Sequence, residues 1–208
     1  MPPVGHYIET FLGTLFTFSK NHDSQLLSRT TPSLAKLPPT ISITSTELGA
    51  SSPGSFTAGK HELLGDNQFP TLAWSRRPGD GENIKSWLLI VEDPDSPLPA
   101  PGVHGIFYDI PRGKTSLSAG DFEVVEARRL RGGFNYGQNR RGTVWIGPRP
   151  VLGHGNHRYF FTVIGLSVEK LGADGARVTK EALNGENGML NEKVAAWGEY
   201  IGNFERKL

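Results

Sequence analysis

A mainly β fold of the sandwich type is predicted by three features of the chain. Apolar runs of strand length recur with turn residues between them. The 26 Gly and 15 Pro among 208 residues favour many short turns over long helices. Helical spacing is confined to the two ends. At this length one domain, with one appended element, accounts for the chain.

The appended element comes first. Val4, Ile8, Phe11, Leu12, Leu15 and Phe16 recur at helical spacing and form one apolar face. The polar face has almost no Lys or Arg, which argues against lying on a membrane surface, so packing against the domain is expected. Residues 20 to 40 are rich in Ser, Thr and Pro and read as a covering loop. The division expected is an N-terminal helix and loop over 1–39, then a β domain over 40–208.

"TISITSTEL" alternates Ile41 and Ile43 with hydroxyl residues, the pattern of a half-buried strand. "FPTLAWS" is a second strand ending near Trp74, and "RRPGDGEN" is a turn. "SWLLIVE" is almost wholly apolar, as a central strand buried on both faces must be. "HGIFYDIP", "TVWIG" and "YFFTVIGLSV" continue the series. At the end "NEKVAAW" reads as a short helix and "WGEYIGNFER" as a last strand.

A formal net charge of +1 gives no global pull toward nucleic acid. The lack of cysteine excludes disulfides, thiolate-bound zinc and thiol catalysis. The first twenty residues lack a basic start, and Glu9 interrupts their apolar run, so they do not read as a secretory signal. No apolar run is long enough to span a bilayer, and the expected location is the cytoplasm. No P-loop, G-x-S-x-G or G-x-G-x-x-G motif is present. "QNRRG" and "ARRLRGG" read as solvated basic turns. His154 and His157, three apart in a Gly-rich loop without an obvious carboxylate, make a poor metal site. No metal and no cofactor is expected.

The chemistry concentrates where strands begin and end. In "DPDSP", Asp93 and Asp95 follow a buried strand, and Pro94 and Pro97 restrict the backbone around them. A turn with acidic residues is the plainer reading of this pentapeptide by itself. His104 opens the next strand, and a nearby aspartate would fix its tautomer and raise its pKa. Gly147, Pro148 and Pro150 make a stiff loop whose N–H groups can approach a ligand. In "HRY", alternation puts His157 and Tyr159 on one face and Arg158 on the other, where a structural ion pair is expected.

Taken together, Pro70-Thr71-Leu72-Ala73-Trp74, Asp93-Pro94-Asp95-Ser96-Pro97, His104 with Asp109-Ile110-Pro111, Gly147-Pro148-Arg149-Pro150 and His157-Arg158-Tyr159 resemble the phosphatidylethanolamine-binding protein family. The likeness covers roughly residues 40 to 205 and is nearest to fungal intracellular members. It implies a β-sandwich with a short C-terminal helix and strand and a small anion pocket at one end. The ligand residues it implies are Asp93, Asp95, Pro97, His104, Gly147, Pro148, His157 and Tyr159. Phosphate, a carboxylate, a phospholipid head group or a phosphorylated partner would be the ligand. Gly105 stands where many members carry an aromatic residue, and Arg149 and Val151 where bacterial ones have Cys or Pro.

Two other functions are implied by relatives. One is an enzyme of fungal small-molecule biosynthesis, with Asp93, Asp95, His104 and His157 as acid and base in lyase, isomerase or cyclase chemistry on a carboxylate or anhydride. The other is inhibition of a protease or kinase. Alanine at position 157 should abolish turnover in an enzyme at saturating substrate, but weaken only affinity in a binding protein.

Overall fold

The structure is a computed structural model that describes residues 4–76, 83–172 and 176–207. Its helices are α1 (Val4–Leu15), α2 (Leu27–Thr30), α3 (Pro32–Ala35) and α4 (Lys180–Leu183). Its first strands are β1 (Ser42–Thr44), β2 (Gly54–Ser55), β3 (Leu72–Ser75), β4 (Ser86–Asp93), β5 (Gly102–Pro111) and β6 (Ser116–Leu117). β7 (Val124–Glu126), β8 (Arg129–Leu130), β9 (Asn135–Tyr136), β10 (His157–Leu166) and β11 (Val194–Phe204) follow. One sheet has the order β1-β3-β6, the other β2-β11-β10-β4-β5-β9-β8-β7.

One apolar cluster joins the two sheets. Ile43, Leu72 and Trp74 from the small sheet share it with Leu89, Val91, Phe107 and Phe161 from the large one. The opposite face of the large sheet presents Leu88, Ile90, Ile106 and Ile164, and Leu27, Leu34 and Leu183 join these in a second cluster. β4 is therefore buried along its whole length, which explains its continuous apolar sequence. The expected sandwich and the expected central strand are both present.

Several local expectations need correction. The apolar face of α1 does not pack inward: Tyr7, Ile8, Phe11, Leu12 and Leu15 are all exposed. The helix docks by its small and polar side. Buried Gly13 lies so close to the Leu152 carbonyl that a methyl group would collide with it, and Glu9 pairs with Arg206 at 2.7 Å. The surface it meets is the backbone of a Gly-rich loop, which only a small residue can approach. Residues 20–40 do cover the domain, but as the short helices α2 and α3.

Residues 191–197 do not form a helix. Val194 opens β11, and its register with β10 (Leu166↔Val194, Ile164↔Trp197) overrides the local helical preference. The C-terminal helix is instead α4, where the Thr179 side chain accepts the Ala182 N–H as an N-cap. "TVWIG" is irregular chain, although Trp145 and Ile146 are buried. Its Ile146 N–H bonds to the His104 carbonyl at 3.0 Å without building a ladder. The turn expected in "RRPGDGEN" falls on 77–82, outside the described residues.

A buried carboxylate ties the N-terminal segment to the sheet. Glu92 in β4 has no exposed surface. Its Oε2 accepts the Leu27 N–H at 3.0 Å, and its Oε1 lies 2.6 Å from Lys180 Nζ. Lys180 also donates to the Gln25 carbonyl at 2.7 Å. Burial pushes the Glu92 carboxyl pKa up, and the Lys180 charge offsets part of that. Lys180→Met strands the carboxylate and should cost about 3 kcal/mol in urea denaturation at pH 8. The loss should shrink at pH 5, where Glu92 can take a proton; an equal loss at both values would contradict the assignment.

Candidate functional site

The order β10-β4-β5 places the end of β4 between the starts of its two antiparallel neighbours. Asp93 closes β4, His157 opens β10, and His104 lies two residues into β5. Sheet topology alone thus brings one carboxylate and two imidazoles to one end of the sandwich. His157 Nδ1 lies 2.8 Å from Asp93 Oδ2, and His104 Nε2 lies 3.9 Å from the same oxygen. The other oxygen, Oδ1, accepts the Asp95 N–H at 2.8 Å, so the turn itself orients the carboxylate. Asp93, Asp95, His104, His157 and Tyr159 each expose 3 % or less of their surface.

His154, set aside in the sequence reading, belongs to this cluster. Its Nδ1 is 2.7 Å from His157 Nε2, and its Nε2 is 2.8 Å from the carbonyl of Phe16, just beyond α1. A carbonyl only accepts, so His154 Nε2 carries a proton. Its Nδ1, when unprotonated, then accepts from His157 Nε2–H. The chain Phe16–His154–His157–Asp93 is thus hydrogen-bonded from end to end. No spacing rule pairs His154 with residues 16 and 93; folding does.

His104 is set apart from this chain. Its Nδ1 donates to the Ile146 carbonyl at 2.6 Å, which leaves Nε2 as the lone-pair nitrogen facing Asp93. Burial drives its pKa down from 6.5 to about 4, against the pull of the Asp93 charge and the Ile146 hydrogen bond. His104 is therefore neutral near pH 7, and its pKa is lowered where a nearby aspartate was expected to raise it. Burial also pushes the Tyr159 hydroxyl pKa well up, with Asp93 adding to the effect. That hydroxyl and Ser96 Oγ are buried without a well-formed hydrogen bond, although the Arg149 backbone N–H polarises the tyrosine.

The remaining expected ligand residues take supporting positions. Asp95 accepts the Arg158 N–H at 2.9 Å, Arg158 Nε at 2.8 Å and Nη2 at 2.8 Å, with the Asn21 N–H at 3.3 Å. All its lone pairs are engaged. Burial would raise its pKa, but the Arg158 hydrogen bonds and charge win and hold it low. Arg158 forms the expected ion pair, and Asp23 joins it at 2.7 Å. The Gly147 N–H donates to Asn67 Oδ1 at 2.7 Å and is not available to a ligand. A Cβ at Gly147 would strike the His61 carbonyl, so glycine serves close packing there. Pro148 is buried beside it, and Pro97 is exposed on the rim.

The family model for "Phosphatidylethanolamine-binding protein" matches residues 42–205. The chain belongs to the phosphatidylethanolamine-binding protein family. Among solved members, it resembles a putative homologue from Chlamydia trachomatis, with TM-score 0.63 and 26 % identity over 81 % of this chain and 99 % of that one. The Escherichia coli member YbcL gives TM-score 0.62 and 27 % identity over the same shares. A fungal protein described as phomoidride biosynthesis cluster protein B is 36 % identical over 95 % of this chain and 94 % of its own. Its namesake from Talaromyces stipitatus is 37 % identical over 81 % of this chain and 69 % of its own.

The family model begins at residue 42, so Phe16 and Asn21 reach the site from outside the matched span. No described helix is long and apolar enough to cross a membrane.

The His104 pKa has a consequence for stability. Between about 4 and 6.5 the unfolded chain binds this proton and the folded protein does not. Stability should therefore fall as pH drops through that window, by on the order of 3 kcal/mol. Urea denaturation of the wild type and His104→Phe from pH 7 to 4.5 checks this. The variant should show a shallower fall, and parallel curves would place the titration elsewhere.

Proposed function

We propose that the chain binds a small anion at the Asp93–His104 end of the sandwich. The observation that carries this reading is a pair of buried hydroxyls without a well-formed hydrogen bond, beside a neutral imidazole. Tyr159 and Ser96 keep hydroxyls with no well-formed hydrogen bond, and His104 Nε2 has only Asp93 nearby. Buried groups of this kind cost free energy unless something completes their hydrogen bonds. A phosphate or carboxylate accepts from both hydroxyls, and a proton taken up with it lets His104 donate. An ammonium head group, if present, meets Asp93. Membership of the family supports ligand binding in general.

A second reading is favoured by the similarity to the fungal biosynthesis cluster protein, which extends over nearly the whole of both chains. In that reading the ligand is transformed. His104 Nε2, unprotonated at neutral pH, is the atom placed to take a proton, beside the hydrogen-bonded chain Asp93–His157–His154.

Calorimetric titration with inorganic phosphate and with acetate tests the binding reading. Proton uptake by His104 on binding should make affinity rise as pH falls from 8 to 5, by at most about tenfold per unit. His104→Ala should lower affinity and flatten that profile. A pH-independent wild type, or no binding of either anion, would overturn the reading. Turnover of a fungal cluster substrate that His104→Ala abolishes would establish the second.

A further inference from the structure

We propose that the ligand is an anion with an apolar body, its charge met by Arg140 and its body lying in the cleft beside β5. This rests on the anion-binding reading above and adds the chemical class of the ligand.

Among the charges around the cluster, Arg140 is the one that both acts on it and lines the neighbouring cleft. Arg158 is bound to Asp95 and Asp23, and Lys180 to Glu92 and the Gln25 carbonyl. Lys20 donates to the Asn156 carbonyl. Arg140 has no carboxylate at ion-pair distance among the described residues, yet its charge acts on Asp93, His104 and Tyr159. Its place is fixed by Asn139, which is buried. The Asn139 side-chain amide donates to the His104 carbonyl at 3.1 Å and to Thr143 O at 2.7 Å. Its oxygen accepts the Arg141 N–H at 3.0 Å and the Thr143 N–H at 3.2 Å. A polar side chain with all these bonds satisfied makes a rigid turn, and that turn is anchored on the backbone of His104.

Arg140 also lines a cleft of about 410 Å³, of the size that holds small organic ligands. One wall is Leu98, Pro99, Ala100, Pro101 and Val103, which carry no charge, while Lys180 and Glu181 add one charge of each sign elsewhere in the lining. Gly102 belongs both to this wall and to the buried cluster. A Cβ built there would sit 3.3 Å from Ser96 Oγ and 3.8 Å from His104 Nε2. Gly102 thus lines the cleft and also packs against the residues of the buried cluster. A guanidinium on one side and an apolar wall on the other match a carboxylate or phosphate monoester with a short hydrocarbon part.

The test is calorimetry with acetate, hexanoate, hexyl phosphate and hexanol on the wild type, Arg140→Gln and Ala100→Trp. Both positions are exposed, and circular dichroism checks that the variants fold. Hexanoate should bind the wild type at least about tenfold tighter than acetate. Arg140→Gln should weaken hexanoate and hexyl phosphate about tenfold while leaving hexanol unchanged. Ala100→Trp should bring hexanoate down to the affinity of acetate. The inference is overturned if acetate binds and hexanoate is no tighter, or if Arg140→Gln binds both anions as the wild type does. If the wild type binds none of the anions, the underlying reading fails with it.

Discussion

The hydrogen bond between Asp93 and His157 is the constraint on which the rest of this end of the molecule depends. It joins the last residue of β4 to the first of β10, and it sits in a region with almost no solvent. A carboxylate in such a place must be matched in charge and hydrogen bonding or be neutralised. The fold meets that demand with the Asp95 N–H on one oxygen and His157 on the other. His157 in turn hands its second nitrogen to His154, and His154 ends on a main-chain carbonyl. Each side chain's orientation is set by its neighbour, so Asp93, His157 and His154 are held as a unit.

The same logic separates the two histidines closest to Asp93. His157 is hydrogen-bonded at both nitrogens, whereas His104 spends one nitrogen on Ile146 and keeps the other free. His157 is accordingly the framework, and His104 keeps the open nitrogen. Asp95, which looks equivalent to Asp93 in the sequence, is a buttress: Arg158 occupies it from three directions and carries the load to Asp23 in the N-terminal segment.

Much of this was legible beforehand, for reasons that can be stated. β4 could be read because burial on both faces demands an unbroken apolar run. The convergence of Asp93, His104 and His157 could be read from their places at strand ends. Arg158 was separated from His157 and Tyr159 by the two-residue period of a strand. What escaped has equally physical causes. β6 to β9 span two or three residues each, too few for a period to show. Val194 to Trp197 suits a helix locally, and only pairing with β10 makes it a strand. His154 and Asn139 sit in loops whose places are set by contacts more than 30 residues away in the chain, to the Phe16 and His104 carbonyls. The docking of α1 by Gly13 was hidden because hydrophobic periodicity marks the apolar face, and the interface is a backbone surface.

The central claim is that His104 is neutral and open at Nε2 until an anion arrives. Nitrogen-15 NMR of the imidazole rings, recorded at pH 7 before and after phosphate is added, tests this directly. The account predicts that His104 begins as the Nδ1–H tautomer and moves toward the doubly protonated form on addition, while His157 and His154 keep their pattern. A His104 signal that does not change at saturating phosphate, or one that already shows a proton on Nε2, would contradict it.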